Sequence, residues 1–250
     1  MGIYAVTSLT DLRVKLFADG ADLAQMVALR AHACIRGFTT NPTLMHKAGV
    51  RDYRRFACEV LAAIPDRPVS FEVLADDFPE MERQARQIAA WGRCVYVKIP
   101  VSNTRGDSSF ELIRRLSHDG VRVNVTAVLT LEQVEKATAA LRGGAPSNVS
   151  MFAGRIADTG RDPVPMVADA LDILSAEPQA ELIWASPREL LNVFQADAIG
   201  CHIITVTPEI LKKLDLVNRD LEEISLDTVR MFRNDALNAG LTLPEEGKPV

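Results

Sequence analysis

Lys98 is the residue from which chemistry can start. It lies in the run Cys94-Val95-Tyr96-Val97-Lys98-Ile99-Pro100, where apolar residues continue on both sides of the charge. An ammonium enclosed in such surroundings is costly unless paired, and desolvation favours the neutral amine. A neutral amine attacks carbonyl carbon, the opening step of Schiff-base chemistry. The plain alternative is a lysine that reaches from a strand end into solvent. Two carboxylates stand at comparable places, Asp19 after Lys15-Leu16-Phe17-Ala18 and Glu72 inside Val69-Ser70-Phe71-Glu72-Val73-Leu74. Near an amine, such a pair can serve two different proton transfers. Their structural alternatives are a helix cap for Asp19, a job for which Asp22 competes, and an ion pair with Lys98 for Glu72. A third group, Arg155, Ser186 and Arg188, supplies two guanidiniums and a hydroxyl. Together with helix amides these donors suit a phosphate, although each alone would be an ordinary surface residue.

These residues are far apart in the chain, so a scaffold must gather them. Eight short β-branched runs alternate with stretches of helical spacing, at 15–18, 35–40, 69–74, 94–100, 121–129, 148–153, 181–186 and 201–206. Run centres lie about 20 to 34 residues apart, the length of a strand plus a crossover helix. Helix signals fill the gaps. Thr130-Leu131-Glu132-Gln133 reads as a capping box, and Thr207-Pro208-Glu209 as an N-cap, a first-turn proline and an acid. Gly120, Gly143 and Gly144 stand where helices should stop. Unbroken strand–helix alternation implies a parallel sheet, and eight units in this length predict a closed α/β (β/α)8 TIM barrel. The competitor, an open doubly wound sheet, normally carries a Gly-rich phosphate turn after its first strand. Here that turn reads Ala18-Asp19-Gly20-Ala21.

The predicted organisation is an extension over 1–14 able to lie across the lower mouth, a barrel over 15–214, and a helical segment and tail over 215–250. Charged helical pattern over 208–240 predicts one or two extra helices. Within it, Ile224, Leu226, Val229, Phe232 and Leu237 form an apolar stripe expected to pack on the chain's own barrel.

Barrel strands are covered on both faces and should be nearly all apolar, so polar residues within or just after them need a reason. Asn41, Asn124, Thr126 and Ser150 join Asp19, Glu72 and Lys98 in this respect. Alternation puts Asn124 and Thr126 on one face, Ser150 and Phe152 on one face, and Lys98 opposite Val95, Val97 and Ile99. The carboxyl ends of barrel strands are where active sites sit.

Composition narrows the partners. Twenty-eight Lys and Arg against 33 Asp and Glu give a net charge of −5, which argues against nucleic acid. With 48% hydrophobic and 24% charged residues the chain is expected to fold as a globular protein, not to be disordered. No run approaches the roughly 20 apolar residues of a membrane span, and the first residues lack a secretory pattern. Four widely spaced cysteines and four histidines show no metal-ligand spacing. A metal-free cytoplasmic protein is the expectation.

Five motifs in order carry a family resemblance: Thr39-Thr40-Asn41-Pro42-Thr43, Val97-Lys98-Ile99-Pro100, Asn124-Val125-Thr126, Gly154-Arg155-Ile156 and Ala185-Ser186-Pro187-Arg188. From about Lys15 to Leu214 the sequence resembles the transaldolases of the class I aldolase group, in the short subgroup that includes fructose-6-phosphate aldolases. The resemblance implies a Schiff base at Lys98 and a carbon–carbon bond acid/base at Asp19. It implies that Glu72 works with the Thr126 hydroxyl through a water, and that Asn41, Asn124 and Ser150 hold the hydroxyls of a dihydroxyacetone unit. Arg155, Ser186 and Arg188 would grip a sugar phosphate. The aldolases of the subgroup have Gln at the place of Glu72 and Tyr at that of Phe152, so both choices favour transfer over simple cleavage. Departures are the Ala18-Asp19-Gly20 turn, Met151 between Ser150 and Phe152, and Pro187 before Arg188. No cofactor is implied, since an iminium is its own electron sink. The resemblance also implies a homo-oligomer, with carboxyl-terminal helices able to cross between subunits. The alternatives are a fructose-6-phosphate aldolase, a transaldolase for an unusual sugar, and a non-catalytic barrel that binds sugar phosphates.

Overall fold

Eight parallel strands close into a barrel in the computed structural model, which describes residues 12–243. In chain order they are β1 (Lys15–Asp19), β2 (Ile35–Thr39), β3 (Val69–Glu72), β4 (Val95–Pro100), β5 (Val123–Val128), β6 (Ser147–Met151), β7 (Ala180–Trp184) and β8 (Ile203–Val206). Each pairs with its neighbours in sequence, and β8 closes onto β1. The helices are α1 (Leu23–Arg30), α2 (Pro42–Lys47), α3 (Tyr53–Ala63), α4 (Phe78–Ala89), α5 (Phe110–His118), α6 (Leu131–Leu141), α7 (Ala153–Ala157), α8 (Pro163–Leu174), α9 (Leu191–Ala198), α10 (Pro208–Leu211) and α11 (Leu221–Asn238). The predicted (β/α)8 architecture is therefore the one observed. The expected cover from residues 1–14 falls almost wholly outside the described residues. Of that stretch, the Arg13 and Val14 amides donate to Asp197 Oδ1 at 2.6 and 2.9 Å and anchor the entry to β1.

Short polar side chains set the helix starts. Asp22, Asn41, Asp52, Asp77, Asp162 and Asp220 each accept from an amide of the first turn that follows. The Thr130–Gln133 capping box forms in both directions. At α10 Thr207 occupies the cap position with Pro208 behind it, but its side chain makes no cap bond. Because Asp22 caps α1, Asp19 is released from that role.

Several strands stop earlier than their apolar runs suggest, for local reasons. β3 ends at Glu72, because the amides of Leu74 and Ala75 turn to Gln84 Oε1 at 2.7 and 3.0 Å. Glu72 thus terminates the third strand and does not interrupt it. β5 ends at Val128, since Gln133 Oε1 takes the Leu129 amide at 2.8 Å. β6 ends at Met151, and Phe152 already occupies the cap position of α7.

Two apolar layers hold the barrel. Leu16, Phe38, Phe71, Val97, Ile99, Val125, Val149, Leu182 and Ile204 are buried on the strands. Inside, Phe17, Ile183, Ala185 and Ile203 form a small cluster with Phe152 packed against it. The Phe17 ring lies on Gly37, where an added Cβ would come within 2.5 Å of ring carbon. Burial of this kind contributes roughly 25 cal/mol per Å2 of apolar surface.

The chain forms two compact units, one ending at Lys212 and a second from Lys213. In the second, α11 buries none of its residues, and Leu226, Val229, Phe232 and Leu237 are exposed. The stripe has the helical period, but its residues are not buried among the described residues.

Gly37→Ala should lower stability by about 1–3 kcal/mol, the usual cost of forcing a ring out of a packed interior. Urea unfolding measures it, and an unchanged midpoint would contradict this packing.

Candidate active site

At the carboxyl ends of the strands the barrel opens into a cavity of about 560 Å3. Alternation along each strand decides what faces it. β3 and β4 pair Glu72 with Lys98, and β4 and β5 pair Lys98 with Asn124, so the three side chains stand in one row inside the barrel. Lys98 Nζ lies 3.3 Å from Glu72 Oε2 and donates to the Thr40 carbonyl at 3.0 Å. Its side chain is 8% exposed, so the lysine does not reach into solvent.

Asp19 faces the same cavity from the end of β1. Thr39 Oγ1 donates to its Oδ1 at 2.8 Å and lies 2.5 Å from Thr205 Oγ1. One hydroxyl has one proton, so Thr205 donates to Thr39 and Thr39 to Asp19. Asn41 adds a longer contact, Nδ2 to Asp19 Oδ2 at 3.4 Å, while its Oδ1 caps α2 by accepting from Leu44 N at 2.9 Å. Burial pushes the Asp19 carboxyl above its usual range; the Lys98 charge and the Thr39 bond pull it back, and Glu72 adds to the rise.

Neighbouring bonds fix the remaining groups. Ser150 Oγ donates to Asn124 Oδ1 at 2.7 Å, and Asn124 Nδ2 donates to Ser70 Oγ at 3.1 Å. A bulge in β5 puts Thr126 and Ala127 between the pairs Val125–Val149 and Val128–Met151, with Ala127 at φ 61°. Bulges re-aim side chains at barrel rims. Thr126 lines the cavity, its Oγ1 buried and without a hydrogen-bond partner among the described residues.

The phosphate-type cluster forms the opposite wall, where Arg155, Ser186 and Arg188 all line the cavity. Ser186 has φ 61°, and its carbonyl would lie 1.5 Å from a Cβ at residue 154, so only Gly154 lets the two loops interlock. The Arg155 guanidinium lies 5.8 Å from the Phe152 ring centre. Arg188 is held on both carboxylate oxygens of Asp158, with Nε to Oδ1 at 2.9 Å, and this bond draws the Asp158 carboxyl below its usual range.

The cavity thus gathers all the predicted residues except Asn124, which lies one layer deeper and acts on Ser150. Sequence reasoning missed several partners. Thr39 and Thr205 were findable by strand alternation, whereas Asp158 meets Arg188 from a separate loop and gave no such signal. Tyr53 had no signal. From α3 its hydroxyl donates to the Glu72 carbonyl at 2.9 Å and accepts from the Glu72 amide at 2.8 Å, clamping the end of β3. Edge-on contacts with Phe71 and Trp91, at 6.2 and 5.4 Å between ring centres, hold the ring in place.

An enclosed lysine flanked by acids at the carboxyl mouth of a parallel barrel defines a (β/α)8 protein equipped for condensation of an amine with a carbonyl. The chain belongs to the transaldolase/fructose-6-phosphate aldolase family, whose model matches residues 16–243. It is 35% identical over 202 residues to a protein of Dehalococcoides mccartyi named "Probable transaldolase", covering 80% of this chain and 90% of that one. A protein of the same name from Thermoanaerobacter sp. is 33% identical over 231 residues, covering 92% of this chain and 100% of its own length. Solved structures at lower identity share the fold. A dihydrodipicolinate synthase from Rhodopseudomonas palustris superposes with a TM-score of 0.57 at 13% identity, covering 95% of this chain and 92% of its own. A 2,3-dimethylmalate lyase gives 0.53 at 15%, covering 96% and 89%.

Thr39→Val removes the donor that lowers the Asp19 pKa, so the Asp19 carboxyl should titrate at still higher pH than in the wild type. Carboxyl-selective carbon NMR reads this directly, and a downward or absent displacement would contradict the hydrogen-bond chain.

Proposed function

We propose that the chain is a transaldolase that moves a dihydroxyacetone unit between sugar phosphates through an imine on Lys98. The observation that carries this reading is the position of Lys98 Nζ, enclosed beside Glu72 and the Thr40 carbonyl and facing the same cavity as Asp19.

In the first step Lys98 Nζ, having given up a proton, attacks the ketone carbon of a ketose phosphate. The resulting carbinolamine loses its oxygen as water. Glu72 and the unpartnered Thr126 hydroxyl, joined through a water, are suited to deliver the proton that this departure needs. Asp19 as carboxylate then accepts the C4 hydroxyl proton, the C3–C4 bond breaks, and its electron pair flows into the iminium. The aldose phosphate leaves and a three-carbon enamine stays on Lys98. An acceptor aldehyde takes the enamine carbon, Asp19 returns the proton, and water hydrolyses the imine. Atoms and charges balance without an external oxidant.

Binding follows from the walls. Asn41 and Ser150 would hold hydroxyls of the three-carbon unit, and Asn124 would orient Ser150. Arg155, Ser186 and Arg188 would take the phosphate, with bidentate geometry available from the guanidiniums. Phe152 presents a ring with no hydroxyl beside the cavity, so the enamine lacks a nearby phenol to protonate it and waits for an acceptor. Sedoheptulose 7-phosphate with glyceraldehyde 3-phosphate, and fructose 6-phosphate with erythrose 4-phosphate, are the substrate pairs this reading favours. It carries with it a place in pentose phosphate metabolism, a cytoplasmic location and a homo-oligomer. The uncovered apolar side chains of α11 support the last.

Supplying fructose 6-phosphate alone should release glyceraldehyde 3-phosphate in an amount matching the enzyme and then stop. Erythrose 4-phosphate should restore turnover, and Lys98→Ala should lower kcat by about a thousandfold or more. Steady release of dihydroxyacetone without acceptor would instead identify an aldolase.

A further inference from the structure

The barrel has a second cavity, at the end away from Lys98. Beneath the Phe17–Ile183–Ile203 cluster the amino-terminal mouth encloses about 430 Å3, a volume suited to a small metabolite. We propose that this mouth binds a small phosphate-bearing anion, a site separate from the reaction centre.

The charge state of its wall makes the case. The acidic groups are already engaged: Glu181 takes Lys15 Nζ on both oxygens at 2.5 and 2.7 Å, and Asp66 takes Arg30 Nε at 2.9 Å. What remains free is a set of donors. Arg36 makes no ion pair or side-chain hydrogen bond among the described residues, and Arg67 reaches only the His32 carbonyl, at 3.5 Å. Tyr96 lines the same cavity, its hydroxyl without a hydrogen-bond partner among the described residues, and the Arg122 guanidinium lies 5.8 Å from its ring centre. Asn148 is the decisive residue. It is 2% exposed, lines the cavity, and its amide has no partner among the described residues. Its strand neighbours in register are Asn124 and Glu181, one bonded to Ser70 and Ser150 and the other to Lys15, so neither completes it. The residue as a whole is buried, yet its amide is open to the cavity that Arg36 and Arg67 also line, so a bound group can meet it there.

Backbone geometry points the same way. β1 and β2 pair Leu16 with Ile35 and then Phe17 with Gly37, so Arg36 is the extra residue of a bulge. The bulge brings the Arg36 side chain to the mouth, although a regular strand would turn it away from the interior. Two guanidiniums, a phenol and an amide give a phosphate group directional donors on several sides.

Equilibrium dialysis of radiolabelled inorganic phosphate with the full chain tests this. The wild type should show two saturable sites. Arg36→Ala and Asn148→Leu should each weaken one of them by about tenfold or more, and Arg188→Ala should weaken only the other. Arg36 is exposed, so its variant should keep the wild-type thermal transition. Absence of saturable binding would overturn the proposal. So would a single site lost in Arg188→Ala, or two sites indifferent to Arg36→Ala.

Discussion

An amine enclosed in a closed sheet is the constraint around which this molecule is arranged. Taking an ammonium and a carboxylate out of water costs several kcal/mol per ion, and only close partners offset it. Lys98 has two, Glu72 at the end of β3 and the Thr40 carbonyl just after β2. Closure of the barrel therefore sets the chemistry. It places Glu72, Lys98 and Asn124 in one row by register, and it leaves the lysine side chain only 8% exposed at the cavity.

Polar groups in such an interior are tolerated when they satisfy one another, and the site meets this condition through short chains. Thr205, Thr39 and Asp19 form one chain, and Ser150, Asn124 and Ser70 form another. Burial raises the Asp19 pKa, while the first chain offsets part of that rise and fixes the orientation of a group that must accept a proton and return it. Thr126 is the exception, a buried hydroxyl with no partner at the wall where a water would be needed. Support from outside the barrel matters as well. Tyr53 ties both backbone polar groups of Glu72, and Gly154 lets the Ser186 loop pass close enough to bring Ser186 and Arg188 to the cavity.

Much of this was legible in the chain itself, and the reasons are physical. Eight β-branched runs at crossover spacing left few topologies, and a charge inside an apolar strand, as at Lys98, needs an enclosed partner wherever the strand sits. Alternation then placed Asn124 with Thr126 and Ser150 with Phe152. What could not be read came from contacts between distant segments. The Tyr53 clamp depends on where α3 crosses β3, and the grip of Asp158 on Arg188 depends on two loops meeting. Strand ends at Glu72 and Met151 were set by side-chain acceptors and helix starts that apolar runs do not reveal. The stripe on α11 has the expected helical period yet buries none of its residues, because a sequence pattern shows that a face is apolar and not what covers it.

Reduction of the protein with borohydride in the presence of fructose 6-phosphate, followed by peptide mass analysis, tests the central claim most directly. A three-carbon adduct confined to the peptide that carries Lys98, with matching loss of activity, is the predicted result. An active sample in which Lys98 stays unmodified, or an adduct on a different lysine, would contradict it.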